Sequence, residues 1–350
     1  MTDERQAKII ELSEAINREF APRPPAPLML DAGIHDLVPM GHYVTDMLRN
    51  DPSLSTKIVR TLIERTPAHA RTDHPRFGPS EGEVTRRGEL GSAVHVSVTG
   101  GQAIEYVEDV ARRSGKSKGE TFVPTDWATK DAQEAAEAIR ARGNLPMLPH
   151  HRGLIEGAAD AIRRALAQFG PGRFEQTLLW QEVNGVWCRG RTDYVDDAGL
   201  FDIDFKTCND ANPAEWARFV METGGYHYQA GLRMRGHERL GRPRRVLFLL
   251  VELEPPHATS FVGLTELRRA EVDYDISRAV DLWHRCLTTG EWPAYGNRVL
   301  YAAPRRRFES GDEIAQLDVA PVATPFDDAE DNQPRPWDEP SPWSTEEQQK

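Results

Sequence analysis

Apolar and charged residues alternate in a short stretch near the middle of the chain, from Trp187 to Thr207. From Phe201 to Lys206 the odd positions are apolar and the even positions are charged, namely Phe201, Ile203 and Phe205 against Asp202, Asp204 and Lys206. This period of two predicts a β-strand with one buried face and one polar face. The turn sequence Asp196-Asp197-Ala198-Gly199 separates this strand from an earlier alternating run, so the stretch predicts a β-hairpin.

The register of this hairpin decides which charges meet, and the sequence leaves two registers open. A loop at Ala198-Gly199 places Asp193 opposite Asp204, whereas a loop at Asp197-Ala198 places it opposite Asp202. Either register gathers three carboxylates and a lysine on one face. Carboxylates at such short distances repel one another unless a cation joins them. Oxygen ligands without thiolates favour Mg²⁺ or Mn²⁺.

Helical and strand patterns around this stretch predict an α/β (α+β) fold. In chain order they are a helix at 152–169, strands at 177–183, 186–196 and 199–207, a helical stretch at 213–240, strands at 246–253 and 258–264, and a helix at 265–289. Asn184-Gly185 is a strong turn signal between the first two strands.

Three segments of this region carry a resemblance to a known family. Asp193 followed by Asp204-Phe205-Lys206 resembles the PD-(D/E)XK nuclease signature, and "CRGRTDYV", "DFKT" and "GYHYQAGLR" occur in the order and spacing typical of the RecE/RecB-like exonuclease branch. The resemblance covers roughly residues 54–253. It implies a restriction-endonuclease-like core with a mixed central sheet flanked by helices, and the activity of a phage-type exodeoxyribonuclease.

The resemblance also implies which residues form a metal-dependent active site. Asp193 and Asp204 are expected as catalytic carboxylates and metal ligands, with the Phe205 carbonyl as a further ligand. Lys206 is expected to orient or deprotonate a water molecule and to offset charge in the transition state. Mg²⁺ is the expected cofactor, with Mn²⁺ as a substitute.

His95 lies in the segment 86–99, for which two interpretations stay open. Related exonucleases carry a Gly-x-x-x-His motif on the first core helix, where the imidazole is a metal ligand, and Gly91 and His95 have this spacing. The valines that alternate with His95 and Ser97 are equally typical of a strand. The resemblance favours the helix and the ligand.

Further residues are expected around the site. Tyr226, Gln229 and Arg233 have spacings that place them on one helix face. The resemblance implies DNA contacts for this face, although the branch has tyrosine at the position of Arg233. Arg191 is a fourth expected DNA contact. Supporting positions behind the ligands are expected at Asp202 and Glu182.

Charge and composition set the domain organisation. Residues 1–27 read as an amphipathic helix with a Pro-rich linker, 28–308 as the nuclease domain, and 309–350 as an acidic, Pro-rich, disordered tail. Most of the net charge of −12 belongs to this tail, so the remaining chain is nearly neutral and can still carry a basic groove. No apolar run is long enough for a membrane span, and no signal-peptide pattern is present. We therefore expect a cytoplasmic protein.

The resemblance implies a function for the protein, and two alternative functions stay open. The first expectation is an Mg²⁺-dependent exonuclease that hydrolyses the phosphodiester bonds of linear duplex DNA in the 5′→3′ direction, in phage-type recombination or repair. A homo-oligomer and a single-strand annealing partner are implied in the same way. The alternatives are a non-catalytic DNA-binding scaffold that retains the nuclease fold, and a structure-specific endonuclease with the same site.

Overall fold

The computed structural model describes residues 25–78, 86–113 and 118–296. The chain divides into two units, Met1–Ala294 and Tyr295–Lys350, and every element named below belongs to the first. The predicted N-terminal helix and acidic tail lie outside the described residues. The predicted domain boundaries therefore stay predictions.

The described helices and strands follow one another in an order close to the predicted one. The helices are α1 Met40–Val44, α2 Thr56–Glu64, α3 Pro67–Asp73, α4 Arg86–Thr99, α5 Lys130–Ala141, α6 Arg152–Leu166, α7 Pro213–Glu215, α8 Met221–Thr223, α9 Tyr226–Arg239 and α10 Glu266–Thr289. Two 3₁₀ turns, Pro149–His151 and Ala167–Phe169, flank α6, and a π-helical turn, Trp216–Val220, joins α7 to α8. The strands are β1 Gly33–His35, β2 Ser53–Leu54, β3 Ile104–Tyr106, β4 Val110–Ala111, β5 Thr121–Phe122, β6 Leu145–Met147, β7 Gly172–Phe174, β8 Thr177–Gln181, β9 Trp187–Arg191, β10 Tyr194–Asp196, β11 Phe201–Cys208, β12 Arg245–Glu252 and β13 Thr259–Gly263.

Two sheets form the centre of the described structure. One has the strand order β1-β8-β9-β2 and the other β13-β12-β11-β10-β7, while β3 pairs with β6 and β4 with β5. Strand β11 runs parallel to β12 and antiparallel to β10, so the predicted mixed sheet flanked by helices is confirmed. Among the described residues, every helix is too short or too polar to cross a bilayer.

A single bent hairpin connects the two sheets. Its arms, 172–181 and 187–196, keep one register throughout, but the half near the turn belongs to the first sheet and the far half to the second. The bend lies at Glu175, whose φ of 58° is uncommon for a residue with a side chain. Here the Glu175 N–H donates to the Asp193 carbonyl at 3.1 Å. The predicted uninterrupted strand at 186–196 was wrong, because this bend divides it into β9 and β10.

Strand β11 has the two faces that its alternation predicted. Its apolar side chains pack against α4 and α6. This core includes Ala93, Val94, Ile155, Ile162, Ile203 and Phe205. Its charged side chains face α9 on the other side of the sheet. On that side the neighbouring strand β12 contributes Val246, Phe248 and Leu250 to a second apolar core. The charged strip is therefore enclosed by apolar packing.

The segment 86–99 is a helix, which decides between the two interpretations of its pattern. It packs closely against β11, because a Cβ on Gly91 would lie 2.9 Å from the Thr207 hydroxyl. The glycine thus permits a short helix–strand distance, and His95 lies one helical turn further on. The predicted helical stretch at 213–240 is interrupted at Gly224-Gly225, and Gly225 has a φ of 69°.

Candidate active site

Three side chains that could hold a metal ion meet at the bend of the hairpin. His95 comes from α4, and Glu175 and Asp193 come from opposite arms of the hairpin, with one ligand atom of each within 4.8 Å of the others. His95 Nε2 lies 3.1 Å from Glu175 Oε1 and 3.1 Å from Asp193 Oδ1. The three side chains are 17 to 25% exposed, so the cluster is open to solvent on one side.

Asp193 is fixed by a hydrogen bond from the main chain. The Phe205 N–H donates to its second carboxylate oxygen at 2.7 Å, which leaves the first oxygen facing His95. Burial opposes ionisation of Asp193, but the hydrogen bond and charge of His95 outweigh it and lower its pKa to about 2. Burial likewise opposes the charged form of His95, and its bond to Asp193 reverses this and raises its pKa. Asp193 is therefore a carboxylate at neutral pH.

Asp204 and Lys206 form an ion pair next to this cluster. Burial raises the pKa of Asp204, and the negative charge of Asp193 adds to the effect. Burial opposes the charge on Lys206, yet the charges of Asp204 and Asp193 prevail and raise its pKa. The Lys206 ammonium also lies 5.1 Å from the centre of the Tyr226 ring. Lys206 is thus held as a cation at a partly exposed position.

One face of α9 follows the charged strip of β11. Gln229 Nε2 donates to Asp204 Oδ1 at 2.6 Å, and Arg233 NH1 donates to the same oxygen. Tyr226, at the start of the helix, stacks on Trp216 with ring centres 5.4 Å apart. The predicted alignment of Tyr226, Gln229 and Arg233 on one helix face is confirmed by these contacts.

A buried group of charges lies behind Asp204. Arg233 binds Asp202 through two donors, one of them Nε at 3.0 Å, and His237 Nε2 lies 2.9 Å from the same carboxylate. All three side chains are almost completely buried. Burial opposes the charge on Asp202, but Arg233 and His237 lower its pKa. His237 was missed in the sequence, although it continues the helix face of Gln229 and Arg233 by one further turn.

Four predicted positions lie differently from expectation. Asp204 was predicted inside the ligand cluster. It lies next to the cluster, where its oxygens contact Gln229, Arg233 and Lys206, and Glu175 is the third side chain of the cluster itself. Arg233 was predicted to bind DNA, but its guanidinium faces carboxylates and its side chain is buried.

Arg191 and Glu182 were predicted as a DNA contact and as a support of the ligands, respectively. Arg191 donates to Glu175 and, at 2.9 Å, to the Val38 carbonyl, so it holds a member of the cluster. Glu182 is buried with Trp180, Arg235 and Arg239, and among the described contacts none joins it to the cluster. Its expected supporting role was therefore wrong.

The hairpin register brings Glu175 to the site. Counting outward from a three-residue turn at 183–185 places Glu175 opposite Asp193, as observed, and Gly185 has the positive φ of 88° that such turns require. A two-residue turn at Asn184-Gly185 would place Gln176 there. The second hairpin, between β10 and β11, has the register of the Ala198-Gly199 loop, with Tyr194 opposite Ile203. That register brings Asp193 beside Phe205 and Asp204.

The site balances its charges without any metal ion. Each carboxylate has a basic partner, since Glu175 pairs with Arg191, Asp193 with His95, and Asp204 with Lys206. One imidazole and two carboxylates, with the open side described above, suit a divalent cation such as Mn²⁺ or Mg²⁺. A cation at this position would replace the proton on His95, because a ligating imidazole is neutral.

The fold and the site together define a PD-(D/E)XK-type protein: a mixed α/β core in which an aspartate, an Asp-x-Lys strand and a helix histidine converge. The model of the family described as "PDDEXK-like domain of unknown function (DUF3799)" matches residues 85–303, and the chain belongs to this family. No curated protein matches the chain.

Several solved structures resemble parts of the fold. A proposed exonuclease from Eubacterium rectale aligns with a TM-score of 0.48 and 12% identity, over 77% of this chain and 97% of that one. A phage-related exonuclease from Haemophilus somnus 129PT has a TM-score of 0.26 and 15% identity, over 49% of this chain and 92% of that one. An alkaline exonuclease from Laribacter hongkongensis has a TM-score of 0.26 and 14% identity, over 47% and 87% of the two chains. The family assignment depends on the family model alone.

Proposed function

We propose that the protein is a metal-dependent deoxyribonuclease, an exonuclease that hydrolyses phosphodiester bonds at the ends of linear duplex DNA. The observation that carries this proposal is the open cluster of His95, Glu175 and Asp193 beside the Asp204–Lys206 pair. Membership of a PDDEXK-like family supports the same chemistry.

The donor set supports a divalent cation as cofactor. His95, Glu175 and Asp193 would hold it, and Asp204 and the Phe205 carbonyl are further proposed ligands on the adjacent strand. Mg²⁺ is the proposed physiological ion and Mn²⁺ a substitute. When bound, such an ion polarises a phosphate and lowers the pKa of a water molecule.

The chain's own residues supply the remaining functions in this proposal. Lys206 is a cation with part of its side chain exposed, so its ammonium orients the attacking water and offsets charge on the phosphate. Asp204 and the ring of Tyr226 fix the direction of that ammonium. Tyr226 is the proposed DNA contact on α9, whereas Gln229 holds Asp204. Phosphate contacts carry no base information, so sequence preference should be weak.

The finer parts of the proposal derive from the three sequence segments that resemble the RecE/RecB-like branch. They are the preference for duplex ends, the 5′→3′ direction, a role in phage-type recombination or repair, a homo-oligomer, a strand-annealing partner and a cytoplasmic location.

A comparison of linear and closed circular duplex DNA tests the proposal. The purified full chain is incubated with each substrate in Mg²⁺ and in Mn²⁺, with Asp204→Asn as the inactive control. We expect mononucleotides from linear DNA only. Cutting of the circles would indicate an endonuclease. DNA binding without products in either metal would indicate a non-catalytic scaffold and refute the proposal.

A further inference from the structure

Arg233 links two carboxylates that lie two residues apart on the charged face of β11. Its Nε and NH2 donate to Asp202, and its NH1 donates to Asp204 Oδ1. His237 Nε2 lies 2.9 Å from Asp202 Oδ2, the oxygen that also accepts from Arg233 Nε. The group therefore joins α9 to β11 at two points, one of which is a proposed active-site residue.

The surroundings are shaped to accept this arginine. Gly190 on β9 lies beside it, and a Cβ at that position would be 3.2 Å from Arg233 Cγ, tighter than an ordinary contact. With 1% of its surface exposed, Arg233 cannot reach a DNA phosphate without leaving both carboxylates. Breaking such a buried pair is costly, because each charge would be left uncompensated.

We propose that Arg233, held by Asp202, is a positioning residue that fixes the Asp204 carboxylate so that its second oxygen faces Lys206. Arg233 and Gln229 both donate to Asp204 Oδ1, which leaves Oδ2 for the Lys206 ammonium. The direction of Lys206 toward the cluster thus depends on an arginine that never meets the substrate. This inference deepens the proposed function and rests on it for the catalytic consequence.

The test separates positioning from phosphate binding. Arg233→Lys keeps the charge but cannot bridge two carboxylates, and we expect kcat to fall about 10- to 100-fold, the usual range for outer partners of a site. The Kd for duplex DNA, measured by fluorescence anisotropy in EDTA, should change less than about twofold. Arg233→Gln with Asp202→Asn removes both charges and keeps hydrogen-bonding groups, and it serves if the lysine variant does not fold.

The matched control is Arg235→Lys. Arg235 lies on the same helix and also pairs with carboxylates, Glu182 and Asp273, but outside the site. Its substitution should leave kcat unchanged. A tenfold weaker DNA affinity with unchanged kcat in Arg233→Lys would overturn the inference in favour of a phosphate contact.

A second measurement does not require cleavage. The side-chain amide of Gln229 donates to the same oxygen as Arg233, so its ¹⁵N–¹H signals should shift in both Arg233 variants. The amide of Gln168, bonded to the Ala165 carbonyl, is the internal reference. Unchanged Gln229 signals would overturn the inference. If the wild-type protein does not cleave DNA, the proposed function fails, and these signals alone decide on the role of Arg233.

Discussion

Two groups of buried charge in this protein look alike in composition but differ in arrangement. One is the candidate active site. The other, here called the Asp46 cluster, consists of Asp46, Ser53, His74 and Arg189. Asp46 accepts the Ser53 N–H at 2.9 Å, the Ser53 hydroxyl at 2.5 Å and Arg189 NH1 at 2.8 Å, with His74 at 3.3 Å. All four residues are at most 3% exposed.

The two groups differ in their ratio of carboxylates to hydrogen-bond donors. They also differ in exposure, because the candidate site is open to solvent on one side. The Asp46 cluster surrounds one carboxylate with donors and is closed, so it joins the segment near α1 to β9 and α3. The candidate site gathers several carboxylates and keeps three ligand side chains partly exposed. Shifted pKa values occur in both groups, and therefore do not by themselves identify a functional site.

The largest expected effect belongs to Asp193→Asn. The carboxylate would lose its charge while Phe205 N–H keeps an acceptor, so the fold should persist and cleavage should fall by about 10³-fold, the upper range for loss of one preorganised group. The rate on end-labelled linear duplex measures this, with Asp197→Asn as the control. Asp197 is an exposed neighbour outside the cluster. Full activity of Asp193→Asn would remove this residue from the site.

Asp46→Asn should produce the opposite result. Asparagine tolerates the φ of 59° at this position, so the substitution isolates the charge. It leaves Arg189 buried without a counter-charge, which should lower the free energy of unfolding by about 3–5 kcal/mol. Urea denaturation measures this. Activity per folded molecule should be retained, and its loss would show that the Asp46 cluster is not merely structural.

Glu175→Gln tests the ligand that the sequence did not reveal. In the proposed site, loss of this ligand carboxylate should weaken Mn²⁺ binding by at least about 10- to 100-fold, the range for outer partners of metal ligands, as measured by titration calorimetry. Glu89→Gln is the matched control, because Glu89 lies on α4 with His95 but pairs with Arg140 instead. Equal affinities for the two variants would exclude Glu175 as a ligand.

The smallest expected effect is a dependence of metal binding on pH. The pKa of His95 is raised in the metal-free protein, and its proton must leave before a cation can bind. Mn²⁺ affinity should therefore fall about tenfold per pH unit below that raised pKa and level off above it. Folding shows the reverse sign, since the raised pKa stabilises the metal-free fold below the unfolded pKa and this stabilisation is lost as pH rises through the folded pKa. Calorimetry in His95→Gln should show no such slope.

Hydrophobic periodicity and turn residues were enough to predict several helices and strands. The two faces of β11 and the shared face of Tyr226, Gln229 and Arg233 follow from spacing within one element, whereas the mixed sheet was implied by the resemblance. Glu175 could not be found in this way, because its place opposite Asp193 depends on whether the hairpin turn has two or three residues. The partner of Arg233 was missed for a related reason, since a helix face does not say which strand residue it will meet.

The turn at residues 183–185 carries a consequence out of proportion to its exposed position, where Val183 is 90% exposed. Surface loops usually tolerate a gain or loss of one residue at little thermodynamic expense. Here the register depends on the kind of turn: if the same sequence closed with the two-residue turn Asn184-Gly185, one arm of the hairpin would slide along the other, and Gln176 would replace Glu175 opposite Asp193. The number of residues in this exposed turn therefore decides which side chain lies beside Asp193.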